Sequence, residues 1–161
     1  MLRDLLEMGS FVVTLVGLPF AIGVFLWEQR KERDNEEEEV YLHLSDAYTD
    51  FLKTVLDHPD LQLRSNEPLA NPTPEQRERM LIIFDMLVAL FERAYLVAYK
   101  PRMSQSEARR WNSWDDYMRE WCQREDFRNA LPLLLRGEDE QFQQHIRRIA
   151  DEHGMPLIHP N

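Results

Sequence analysis

Apolar and polar residues follow three different rhythms along this chain, and each predicts a different kind of element. From Met8 to Trp27 no residue carries a formal charge. As a helix this stretch of 20 residues would be about 30 Å long, the thickness of a bilayer's hydrocarbon core. It runs into Trp27-Glu28-Gln29-Arg30-Lys31 rather than into a small-residue cleavage site, so the pattern predicts an uncleaved transmembrane anchor over 1–27. Residues 28–39 then hold seven acidic and three basic residues with no Gly or Pro, which predicts a charged helical spacer that continues the anchor. Beyond it Val40, Leu44, Ala47, Tyr48, Phe51 and Val55 recur at intervals of three and four, the mark of an amphipathic helix stopped at Asp57-His58-Pro59.

The remaining helices announce themselves by their ends. Thr73-Pro74 with Gln76 forms a capping box ahead of a helix that reaches about Tyr99, before Lys100-Pro101. Its segment Met80–Phe91 is apolar at every position but Asp85, so this is expected to be the central helix of the bundle. Extending it to membrane length would enclose Asp85, Glu92 and Arg93, at about 3 kcal/mol each, so it is not a second span. Ser104 and Glu107 form a second capping box for a helix beginning near Gln105. Asp126 is the expected cap of a short helix from Phe127 to about Arg136, with Pro132 near its first turns and Gly137 as its stop. Asp139 begins a last helix, with Phe142, Ile146, Ile149 and Ala150 inward, ended by Gly154. The expected fold is therefore all-α: one amino-terminal transmembrane helix, a charged spacer over 28–39, a cytoplasmic bundle of four to five helices over 40–154, and a tail over 155–161.

Topology comes from the cations beside the anchor. Arg30, Lys31 and Arg33 follow it and only Arg3 precedes it, which places the amino terminus outside and the bundle in the cytoplasm. Within the anchor Ser10, Thr14, Gly17 and Ala21 share one helical face, where small side chains let a second membrane helix approach closely. That face is the candidate for self-association or for packing into a larger membrane complex.

Charge and composition narrow the function. A net charge of −10 argues against nucleic-acid binding, which needs a basic footprint. Four basic and nine acidic residues fall in the first 39, so half of that charge lies ahead of the bundle. Five Gly leave little room for phosphate-cradling loops, and one Cys cannot build a thiolate zinc site. Asp85 and Glu92 lie on nearly one face, yet a di-iron or dimanganese bundle requires two Glu-x-x-His pairs, which the chain does not contain. Asp85 is expected at the helix edge or paired with an arginine, and adding His43 or His58 assembles no catalytic geometry. His145 and His153 read as surface histidines, and Cys122 as a small core residue. No catalytic residue, metal ligand or cofactor is expected. Trp111, Trp114 and Trp121 form a stripe with Tyr117 beside it. It reads as closing the core against the central helix, and alternatively as an aromatic surface for a partner.

The pieces His58-Pro59-Asp60-Leu61, Phe91-Glu92-Arg93-Ala94-Tyr95, Trp111-x-x-Trp114 and Arg124-Glu125-Asp126-Phe127-Arg128, behind one apolar helix, resemble small bacterial single-pass membrane-anchored helical proteins of uncharacterised function. The resemblance implies a bacterial inner-membrane setting and carries no catalytic residues. The function expected from sequence is a non-enzymatic interaction or scaffold protein that presents an acidic helical domain at the membrane's cytoplasmic face. The alternative is an accessory subunit of a membrane complex, held through the anchor. The expected partners are the lipid bilayer and a protein or membrane complex, with self-association of the chain as a further expectation.

Overall fold

The computed structural model describes the backbone from Leu2 to Gly154, and the side chains within it except those of residues 2–19, 33–37 and 154. Every regular element among the described residues is helical. Helix α1 covers Leu2–Leu56, α2 Pro74–Ala98, α3 Gln105–Trp121, α4 Glu125–Leu134 and α5 Glu140–Gly154, with a single 3₁₀ turn at Pro59–Leu61. The chain divides into two compact units, residues 1–40 and 41–161.

The all-helical class stands, but the membrane span is corrected. Among the described residues no helix is long and apolar enough to cross a membrane. The apolar stretch with described side chains runs only from Phe20 to Trp27, about 12 Å of helix against the roughly 30 Å that a bilayer core requires. Glu28, Arg30, Lys31 and Glu32 follow at once, and each charge would have to be dragged into hydrocarbon to lengthen it. The side chains of residues 8–19, where the rest of the expected anchor falls, lie outside the described residues.

In the second unit α2 packs against α3, α4 and α5, and α5 packs against α3 and α4. This central place follows from the sequence of α2: Met80, Ile83, Phe84, Leu87, Val88, Leu90, Phe91, Ala94 and Tyr95 are buried, a stripe at three- and four-residue spacing. One continuous core joins them to Leu44, Tyr48, Phe51 and Val55 of α1, to the inward residues of α3, α4 and α5, and to Leu61 and Leu63 between α1 and α2. Both capping boxes form. The Thr73 side chain accepts from the Gln76 amide while Gln76 accepts from that of Thr73, and Ser104 and Glu107 do the same for α3. Lys100 also holds Glu107, and that hydrogen bond, before those from Ser104, lowers the Glu107 pKa to about 2.

Helix α4 departs from its expected bounds. It starts at Glu125, two residues earlier than the sequence predicts, and Pro132 lies in its last turn and is exposed. Asp126 is not the cap. Its carboxylate accepts from its neighbour Phe127's amide and is held at 2.7 Å by the buried Arg124 guanidinium. Gly137 follows at φ +94°, a left-handed conformation that costs glycine nothing and lets the chain turn into α5. There Asp139 caps as expected, accepting from the Phe142 amide at 2.9 Å.

Candidate interaction surface

The residues singled out from sequence fall in different places. Ser10, Thr14 and Gly17 lie outside the described side chains, while Ala21 is exposed in the first unit. Trp111, Trp114 and Trp121 offer no surface to a partner, because all three are buried in the second unit's core. The reason is packing: Trp114 meets Tyr48 edge-on with ring centroids 5.8 Å apart, Trp121 meets Phe51 at 5.6 Å, and Trp111 meets Tyr95 at 5.7 Å. Trp121 also donates its indole N–H to the Tyr48 hydroxyl at 3.2 Å.

Tyr117 alone of the four is only half-buried, stacked on Tyr48 with ring centroids 4.2 Å apart. The two rings lie in a groove of about 280 Å³ between the second-unit part of α1 and α3, with Trp114 and Leu52 beneath and the hydroxyls of Tyr41, Ser45, Thr49 and Ser113 around it. The Arg64–Glu120 ion pair at 2.6 Å sits at its rim and satisfies the groove's charges internally. Ser45 and Thr49 likewise spend their hydroxyl protons on carbonyls one turn back in α1.

The histidine reading is also corrected. His145 is buried, not at the surface, and Tyr95, Tyr99 and Trp111 surround its ring with centroids 5.3–5.8 Å away. Its Nε2 lies 3.0 Å from the Asp115 carboxylate, which also accepts from Arg119 at 2.7 Å, and Arg119 continues to Glu152. The His145 and then the Arg119 hydrogen bonds hold the Asp115 carboxyl below its ordinary range, against the opposing effect of burial. Arg119 likewise lowers Glu152. This network joins α3 to α5. A signal for it existed in the sequence: His145 lies three residues after Phe142 and four before Ile149, on the inward face.

The carboxylates separate. Asp85 is exposed, as its edge position predicts, while Glu92 is half-buried and accepts from the Asp139 amide, closing the start of α5. Beside it, the Glu92 carboxylate and partial burial together raise the Glu138 pKa to about 7. His43 is exposed, and the His58 ring sits 2.9 Å from the Thr54 carbonyl, so neither joins them. Among the described residues no group of three His, Cys, Asp or Glu is placed to hold a metal ion. Cys122 is fully buried, and that burial pushes its thiol up to about 12, far from a reactive thiolate.

What the bundle does expose is the outer face of α2. Ile82, Met86 and Leu96 are 55%, 46% and 58% exposed, and with Ala89 and Arg93 between them they repeat at intervals of four, three, four and three. The apolar run Met80–Phe91 predicts a central helix without showing which of its residues face outward. Only the packing of α3, α4 and α5 on the opposite side reveals this face. Comparison with protein-family models, with curated proteins and with solved structures finds no match for the chain.

Proposed function

We propose that this protein is a non-enzymatic interaction module: an acidic helical bundle that uses the outer face of α2 to contact a protein partner. The observation that carries this reading is the stripe Ile82, Met86, Ala89, Leu96, aligned along about 21 Å of one rigid helix. Scattered exposed apolar residues are ordinary on any surface, but an aligned stripe rimmed by charge has the pattern of a contact surface. Asp85 and Arg93 supply that charge. Helix α2 is also the element most surrounded by others, so the stripe is displayed on a rigid platform that loses little freedom on binding. The chemistry supports the same reading, since Cys122 is inaccessible and His145 and Asp115 are committed to each other.

The test is site-specific photo-crosslinking of the full chain in cells, with the reactive group at Met86 and a control at Gln141, an exposed position on α5. Adducts with a protein, this chain included, should form at Met86 and disappear when Ile82 and Leu96 are both changed to Glu. If Met86 captures no protein, or if the capture survives those changes, the proposed function is overturned.

A further inference from the structure

We infer that the turn joining α4 to α5 is a pH-operated latch: a proton carried by Glu138 ties the turn to Glu92 of α2, and losing that proton loosens the start of α5. The latch is independent of the α2 contact face. Its basis is the way the turn is fastened. Gly137 stands at φ +94° in a stretch where Arg136, Gly137, Glu140 and Gln141 are all exposed. The turn's own backbone bonds are long, with the Arg136 amide 3.4 Å from the Leu133 carbonyl and the Glu138 amide 3.4 Å from that of Leu135. Among the described residues its polar bonds to α2 both end on one side chain. Glu92 accepts from the Asp139 amide and also meets the Glu138 carboxyl.

Two carboxyl groups in hydrogen-bonding contact need a proton between them, because two bare carboxylates offer only acceptors and repel each other. That proton resides on Glu138. Glu92 already accepts an amide N–H, which favours its charged form, so Glu138 is the carboxylic acid and donates its O–H to Glu92. The groups around Glu138 do not relieve the repulsion. From α2, Glu92 and Asp85 both act to keep it protonated, while the Gln143 side-chain amide of α5 donates to the Glu138 backbone carbonyl rather than to its carboxyl. The adjacent Asp139 carboxylate caps the Phe142 amide. Arg93 of α2 and Arg136 beside the turn are exposed, and neither is among the groups that act on Glu138. Loss of the proton therefore removes a donor and adds a negative charge beside Asp85 and Glu92, and Gly137 gives the backbone freedom to move away. The tie weakens from the carboxyl's ordinary 4.5 up to about 7 and stays weak above, a window that ends at neutral pH.

Amide hydrogen exchange of the full chain, read at Asp139, Phe142 and Gln143 and compared with α2, tests the latch. Protection is taken relative to the unstructured chain, which removes base catalysis of the exchange itself. At these three amides it should fall about tenfold between about pH 5 and pH 7.5 and then level off, short of the full linkage because Glu138 is only partly buried. The Glu138→Gln variant, whose side-chain amide donates to Glu92 at every pH, should keep the acid level of protection throughout. Glu92→Gln should move the Glu138 titration, followed by carboxyl-carbon NMR, down toward the ordinary carboxylate range. Circular dichroism checks that both variants keep their helices. If the three amides exchange at the α2 rate at every pH, the turn opens only with the whole bundle and the latch is wrong. A fall of equal size in Glu138→Gln, or an unmoved Glu138 titration in Glu92→Gln, overturns it as well.

Discussion

Among the described residues the two buried polar side chains, His145 and Arg124, are both held by partners, and those partners make their removal expensive. His145 is the clearest case, enclosed by Tyr95, Tyr99 and Trp111 and placed 3.0 Å from Asp115. His145→Ala should lower the stability of the bundle by about 2–4 kcal/mol in urea unfolding, from the lost packing among Tyr95, Tyr99 and Trp111 and the lost contact with Asp115. A surface histidine would cost no more than about 0.5 kcal/mol, so a value that small would contradict the buried network. Glu138 acts in the opposite sense. Its pKa is raised from 4.5 to about 7 in the folded chain, so folding takes up a proton as the pH rises through that window. Its contribution is therefore favourable below about pH 4.5 and is lost as the pH climbs to about 7. Melting temperature should fall between about pH 5 and pH 8, and Glu138→Gln should flatten that fall and melt higher than the parent at pH 8. Glu107, Asp115 and Glu152 have lowered pKa values and give the reverse effect, stabilising above the usual carboxylate range and failing in acid. The two windows do not overlap, so the two effects separate in one titration.

Helices were legible from their ends, and the connections between them were not. Both capping boxes and the stop before Pro59 sit where local sequence places them, because a cap is satisfied by residues within one turn. The segment between α1 and α2 depends instead on a residue some sixty positions away. The buried Arg124 guanidinium donates to the carbonyls of Gln62, Ser65 and Glu67 while Asp126 holds its other edge. Gln62 takes a left-handed backbone at φ 50° that presents its carbonyl to this group. Arg124→Met should cost about 2–4 kcal/mol, and Arg124→Lys should rescue little of it, because an ammonium cannot reproduce the planar set of donors. Hydrogen exchange of the Gln62–Glu67 amides should rise before that of α2 in the Met variant; equal rates in the two would mean that Arg124 does not pin the loop. The same guanidinium explains the shifted start of α4, since it engages the Asp126 carboxylate that sequence alone assigns to the cap.

At the scale of the whole molecule, the second unit keeps Trp111, Trp114 and Trp121 inside and, among the described residues, exposes an aligned apolar stripe along α2. The aromatic stripe and the α2 run pose the same question to a sequence reader: an apolar residue at helical spacing belongs either to the core or to a contact. Periodicity identifies the face of a helix but not what covers it. For α3 the neighbours are Tyr48, Phe51 and Tyr95, so Trp111, Trp114 and Trp121 are core. For α2 the packed helices cover one side, and Ile82, Met86 and Leu96 are left on the other. The expected membrane span marks a different limit, because a count of uncharged residues measures apolar length only, and the described part of that stretch ends in charge after eight residues. Sequence by itself determined the all-helical class, the capped starts of α2 and α3 and the inward stripe of α5, since each depends on neighbours within a turn or two. Only the tertiary structure decided that His145 is buried, that Arg124 fastens a distant loop and which side of α2 faces solvent. Those outcomes depend on residues brought together from thirty to sixty positions apart, a distance over which local physical chemistry carries no information.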